Sequence, residues 1–176
     1  MNYKRGFTLV ELIIAVGLFA IVMLLTSGAY FIILSVNQRV QSMASGIDNA
    51  SSAFESMVRD IRSGKTYDCG IVTTSPTPLD CPSSPGYSFS FFDRKGNAVS
   101  YSVTGSVLMK TVAGSATPLT DLSMVKILAV QFFVSGAPPG DGIQPRVVIV
   151  IAGQTVGKIQ QNFVVQTEAT MRGPDL

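Results

Sequence analysis

The chain has no histidine and no tryptophan, and only 14% of its residues are charged. Without histidine, a Ser-His-Asp triad, a Cys-His pair and a zincin helix cannot be assembled from it. Charge is scarce against about 25% in an average domain, and 47% of residues are hydrophobic. That balance excludes a long disordered chain. The formal charge of +2 is too small to argue for nucleic acid. Two cysteines without other soft ligands do not make a metal site. Asp68, Asp80, Asp93, Asp121 and Asp141 fall mainly in predicted turns, where Asp is favoured for backbone reasons. No carboxylates stand at a spacing suited to paired acid–base chemistry, so a tethered hydrolase is not supported. No catalytic residue, cofactor or metal is expected. At 176 residues the chain is one ordinary domain with an appendage.

The apolar residues are concentrated at the start. After MNYKRG, the thirty residues Phe7 to Val36 carry a single charge, Glu11, and the next is Arg39. As a helix this stretch measures roughly 45 Å at about 1.5 Å per residue, whereas a bilayer core needs about 20 residues. It is long enough to span a membrane, with Lys4 and Arg5 cytoplasmic and the remainder outside. A secretory signal peptide, with Ser27-Gly28-Ala29 near its cleavage site, has too long an apolar stretch here and contains a carboxylate. A plain signal anchor accounts for length and orientation but gives Glu11 no purpose.

The string Lys4-Arg5-Gly6-Phe7-Thr8-Leu9-Val10-Glu11-Leu12 closely resembles the processing site of type IV prepilins and type II secretion pseudopilins. That resemblance implies cleavage between Gly6 and Phe7 by a prepilin peptidase, methylation of the new Phe7 amine, and subunit docking through Glu11. The carboxylate would meet the amine of a neighbouring subunit, an attraction strengthened by a low-dielectric layer. Cleavage removes Lys4 and Arg5, taking the basic residues from 13 to 11, equal to the 11 acidic ones. The family often has proline where Gly28 stands here; the Thr26-Ser27-Gly28 run is a weaker place for a bend.

Beyond Val36 the residues Val40, Met43, Ala44, Ile47, Ala50, Phe54, Met57, Val58 and Ile61 recur at helical spacing and predict an amphipathic stripe to about Ser63. Glu55 and Arg59 stand as an i,i+4 pair. Gly64 is the expected stop, as a left-handed cap. The segment TYDCGIVTTSPTPLDCPSSPG reads as a Ser/Thr/Pro-rich loop, and outside the membrane Cys69 and Cys81 are natural disulfide partners. The period then becomes two. Tyr87 to Phe91 and Val99 to Val103 alternate around a turn at 94–97, with further strands at 107–112, 126–134, 146–152 and 161–171. The expected organisation is a 1–6 leader, a 7–36 transmembrane or filament-core helix, its 37–64 amphipathic continuation, a 65–86 loop and an 87–176 antiparallel β domain.

A long helix on an antiparallel sheet is an α+β plan, and it is the plan of pilins. The C-terminal half, from FFDRKGNAVSYSVTGSVLMK to TEATMR, resembles J-type minor pseudopilins and W-type minor pilins. Such proteins are low-copy subunits associated with assembly initiation at the filament tip. The implied partners are other pilin or pseudopilin subunits, the prepilin peptidase/methyltransferase, an inner-membrane assembly platform and membrane lipid; no nucleic acid is predicted directly. The implied location is the cytoplasmic membrane as a single pass, N-terminus cytoplasmic, and then the filament. A secretion system, a pilus and a DNA-uptake apparatus all remain open. So does a membrane-tethered binding module, an adhesin or a DNA- or ligand-recognition domain, on the same anchor.

Overall fold

The computed structural model describes residues 6–70, 74–157 and 160–173. Lys4, Arg5 and the rest of the expected leader before Gly6 lie outside the described residues. One helix, α1 (Leu9–Ser63), is followed by β1 (Lys65–Cys69), β2 (Phe89–Phe92), β3 (Ala98–Thr104), β4 (Val107–Val112), β5 (Ser115–Pro118), β6 (Val125–Ser135), β7 (Arg146–Thr155) and β8 (Asn162–Thr170). The chain divides into two units, Met1–Val40 and Gln41–Leu176.

In the first unit every described residue is exposed, from Gly6 to Val40. The helix is apolar enough to cross a membrane, with a mean hydropathy of 2.7 in its most apolar window. It is unbroken through the Thr26-Ser27-Gly28 run. Thr26 Oγ1 donates to the carbonyls of Val22 (3.0 Å) and Met23 (3.1 Å), and Ser27 Oγ donates to Met23 O (2.7 Å). The hydroxyls thus satisfy themselves on their own helix and need no water.

In the second unit the end of α1 packs on antiparallel sheets. Five strands run in the order β1-β2-β3-β4-β5, and three in the order β6-β7-β8. All strand pairs are antiparallel. This is the expected α+β, pilin-like arrangement. The helix contributes Gly46, Ala50, Ala53, Phe54, Met57 and Ile61 to the buried face. Small residues at 46, 50 and 53 let the helix backbone come close to the sheets. A Cβ at Gly46 would stand 2.7 Å from Thr155 Cγ2. The upper part of the expected stripe behaves differently: Val40, Met43 and Ala44 are exposed, so burial begins about one turn later. The Glu55–Arg59 pair is also not formed. Among the described residues the ion pairs are Lys110–Asp60 and Arg146–Glu168.

Gly64 ends the helix for a different reason from the expected one. Its φ is not positive; the left-handed residue is Thr66, at 58°. A side chain at 64 would collide with the ring of Phe91. Close approach, not cap conformation, requires the glycine. The first five residues of the 65–86 stretch are strand, not loop, because β1 pairs with β2 through Lys65↔Phe92, Asp68↔Ser90 and Cys69↔Phe89. At the next stretch, β2 starts at Phe89, and Tyr87 stands outside it, 69% exposed. The chain is drawn off one residue earlier, where Gly86 exchanges two backbone hydrogen bonds with Phe132 of β6.

Segment 74–86 is held from several sides. Leu79 N–H donates to Tyr67 O, and Cys81 N–H donates to Val134 O. The Asp80 carboxylate accepts from the N–H groups of Gly136 and Ala137 (3.1 and 2.8 Å). Cys69 and Cys81 are bonded, with Cα atoms 6.0 Å apart. Closing a loop of this size contributes about 3 kcal/mol in the chain-entropy model. Protein taken from the cell envelope should therefore resist thiol labelling at both positions until reduced. Full reactivity of both cysteines without reductant would contradict the cross-link. The non-covalent ties predict that the Cys69→Ala, Cys81→Ala variant keeps the β2–β4 hairpins while losing stability.

Candidate processing and docking site

The first turn of α1 brings together the residues singled out by the leader string. Thr8 immediately precedes the helix and Glu11 is its third residue. The Glu11 N–H donates to Thr8 Oγ1 at 3.3 Å, and the Leu12 N–H to Thr8 O at 3.2 Å. Thr8 is thus an N-cap, and Thr-x-x-Glu is the capping-box spacing. An acid there also faces the positive end of the helix dipole, a gain of about 0.3–1 kcal/mol. This is the part of the site that reasoning from the processing motif alone overlooks, although the spacing is legible in the string. Glu11 has a local role in starting the helix whatever else it does.

Gly6 precedes this turn, and among the described residues a Cβ there would meet nothing within 4 Å. Phe7 is 84% exposed. The bond between Gly6 and Phe7 therefore lies on an uncovered, non-helical stretch, accessible to another protein. Residues 1–27 match the family described as the prokaryotic N-terminal methylation motif. That match supports a type IV pilin-like family. The motif implies processing by a prepilin peptidase and assembly with other pilin subunits, and together with the apolar helix it suggests a membrane-anchored protein. Such families are generally structural rather than enzymatic. No curated protein and no solved structure matches the chain.

The other expected site residues, Cys69 and Cys81, belong to the second unit and staple its fold. Another cluster there carries no sequence signal. Asp60, on the helix, accepts from Lys110 Nζ of β4 (2.6 Å) and from Tyr101 Oη of β3 (2.9 Å). Burial, then the Asp60 charge and hydrogen bond, push the Tyr101 phenol far above its ordinary value. Tyr67, raised by burial, donates to the carbonyl of Ile61 at 2.7 Å. Both phenols therefore stay protonated and act as donors that fix the last turns of α1 to the sheet. Of the turn aspartates, Asp93 holds the β2–β3 turn by accepting from the N–H groups of Lys95 and Asn97, both at 2.8 Å. Asp121 accepts from Ser123 N–H and Asp141 from Ile143 N–H, each also at 2.8 Å. Backbone geometry accounts for these carboxylates.

Proposed function

We propose that the protein is a minor pilin or pseudopilin: a processed subunit of a type IV pilus-like filament or a type II secretion pseudopilus, acting in assembly initiation or at the tip. The observation that carries this reading is the methylation motif at residues 1–27, which overlaps a helix uncovered from Leu9 to Val40. A monomer exposing so large a continuous apolar surface needs lipid or other apolar helices around it. A subunit that waits in a bilayer and then joins a bundle of like helices has both. In this reading the peptidase cuts between Gly6 and Phe7, Phe7 is N-methylated, and Glu11 docks to a neighbour. The N-terminus starts in the cytoplasm, the second unit lies outside, and the assembly platform is the inner-membrane partner. The chain itself carries out no reaction.

Mass spectrometry of the mature N-terminus tests it. The expected species begins with methylated Phe7. A chain beginning at Tyr30 would indicate an ordinary signal peptide, and one retaining Gly6 a plain anchor. Gly6→Glu should abolish cleavage, because the peptidase must accommodate the chain where glycine stands. Wild-type processing of that variant would sink the assignment of the cut.

A further inference from the structure

Positive charge is gathered in one corner of the second unit. A cavity of about 500 Å³ opens where α1 ends, beside the start of β1 and the segment after β8. Among the described residues, Arg62, Lys65, Arg94 and Arg172 line it, and no carboxylate does. An adjoining cavity of about 420 Å³ shares Arg62, Arg94 and Arg172 and adds Arg59 and Glu55. Among the described lining residues of the two cavities, five cations stand against one carboxylate, Glu55.

None of these five cations is in an ion pair among the described residues; those pairs are made by Lys110 and Arg146. Asp93, next to Arg94 in sequence, has its carboxylate committed to its own turn, accepting from Lys95 N–H, Asn97 N–H and Asn97 Nδ2. Like charges around a concave, low-dielectric wall focus a potential that favours an anion. Four of the five are arginines, whose planar forks suit oxyanions held by two hydrogen bonds.

The apolar part of the lining, here called the floor, narrows the choice of anion. It includes Pro139, Pro145 and the half-buried Met171. A bare phosphate would leave that floor uncovered. A single nucleic-acid strand needs an exposed aromatic face on which to stack its bases. The one aromatic side chain at this cavity, Tyr67, is 1% exposed and already packed edge-on against Phe89. A ligand that fills the cavity has an apolar group for the floor and carboxylates for the rim. We infer that this corner is a docking site for an acidic segment of another protein subunit, an apolar side chain on the floor and its flanking carboxylates on Arg62, Arg94 and Arg172. Only the source of that segment rests on the pilin-like reading; the preference for an acidic peptide does not.

The test uses the full chain in neutral detergent micelles and a fluorescent peptide of alternating glutamate and leucine. The same peptide with glutamine for glutamate, inorganic phosphate, and a single-stranded oligonucleotide of equal charge serve as comparisons. The acidic peptide should bind, less tightly as salt is raised, with the glutamine peptide about tenfold weaker. Arg94→Glu combined with Arg172→Glu should lower affinity by about tenfold or more with the melting temperature unchanged, since both side chains are exposed. Arg94→Lys should retain most of the binding. Equal affinity for the two peptides, or an unaffected double variant, overturns the proposal. So does phosphate or the oligonucleotide binding as tightly as the peptide. The mature N-terminus of the same preparation judges the pilin-like reading separately, so failure of one leaves the other standing.

Discussion

Glu11→Ala should yield a chain that is inserted and cut normally but is lost from the filament. Insertion is expected to hold or improve, because a carboxylate is removed from an apolar span. Cleavage should persist, because the bond at Gly6 lies several residues away. The helix should also start where it did: the Thr8 cap is made with the backbone N–H of residue 11, which alanine keeps. What disappears is a charge that would face the Phe7-type amine of the next subunit in a desolvated layer. Leaving that amine unpaired costs roughly 3–5 kcal/mol, more than a hundredfold in docking. Glu11→Gln sharpens the result, since glutamine also suits the capping-box position but carries no charge. Co-purification or cysteine cross-linking to other filament subunits is the measurement. Undiminished incorporation of the processed Glu11→Ala chain would show that Glu11 serves only to begin its helix.

The second large effect is in the core. Phe89 is fully buried, with its ring centroid 5.4 Å from Tyr67, 5.6 Å from Phe91 and 5.5 Å from Phe132. Phe132 lies on β6, so this ring joins the two sheets. Phe89→Ala removes contacts on every side, and a loss of about 3–5 kcal/mol is expected. For a unit of this size that lowers the melting temperature by roughly 10 °C. Tyr87→Ala is the companion experiment. Simple alternation would put Tyr87 on the same face as Phe89, but the structure leaves it exposed, so its loss should stay within about 0.5 kcal/mol. Comparable destabilisation by both would contradict the register at Gly86. Denaturant or thermal unfolding in detergent, followed by near-ultraviolet circular dichroism, separates the two.

Glu11 and Phe89 also mark how far the amino-acid sequence can be read. Glu11 and its neighbours form a linear motif, so their grouping is plain from the string of residues alone. The strands from β2 to β4 and β6 to β8 are likewise legible: serine alternates with apolar residues across β2 and β3, and the others are short Val/Ile/Leu/Phe-rich runs between turn residues, near-continuously apolar in β7. β5 is not: Ser115–Pro118 is exposed throughout and exists because β4 pairs with it across a turn with positive φ at Ala113 and Gly114. β1 is hidden for the opposite reason. Its Asp68 looks like a loop residue, yet it is 3% exposed and accepts from Thr77 N–H at 2.9 Å, a bond made by the following segment. Periodicity also cannot distinguish a glycine needed for its φ from one needed for its missing side chain. Gly64 is of the second kind, and only the Phe91 ring beside it shows this. The basic corner leaves no linear trace because its arginines come from the helix end, a hairpin turn and the C-terminal segment.

The bond between Cys69 and Cys81 has a mechanical consequence. The chain leaves α1 directly into β1, an edge strand whose last residue is Cys69. Tension entering along the helix would peel β1 from β2 and then reach the segment that follows. Twelve residue steps separate the two cysteines, a contour length of about 40 Å when extended. With the bond intact that length is short-circuited, and the load passes straight to the residues after Cys81. A reduced subunit would lengthen under pull by about 35 Å, that length less the 6.0 Å already between the two Cα atoms, before its remaining strands felt the force, whereas an oxidised one stays taut.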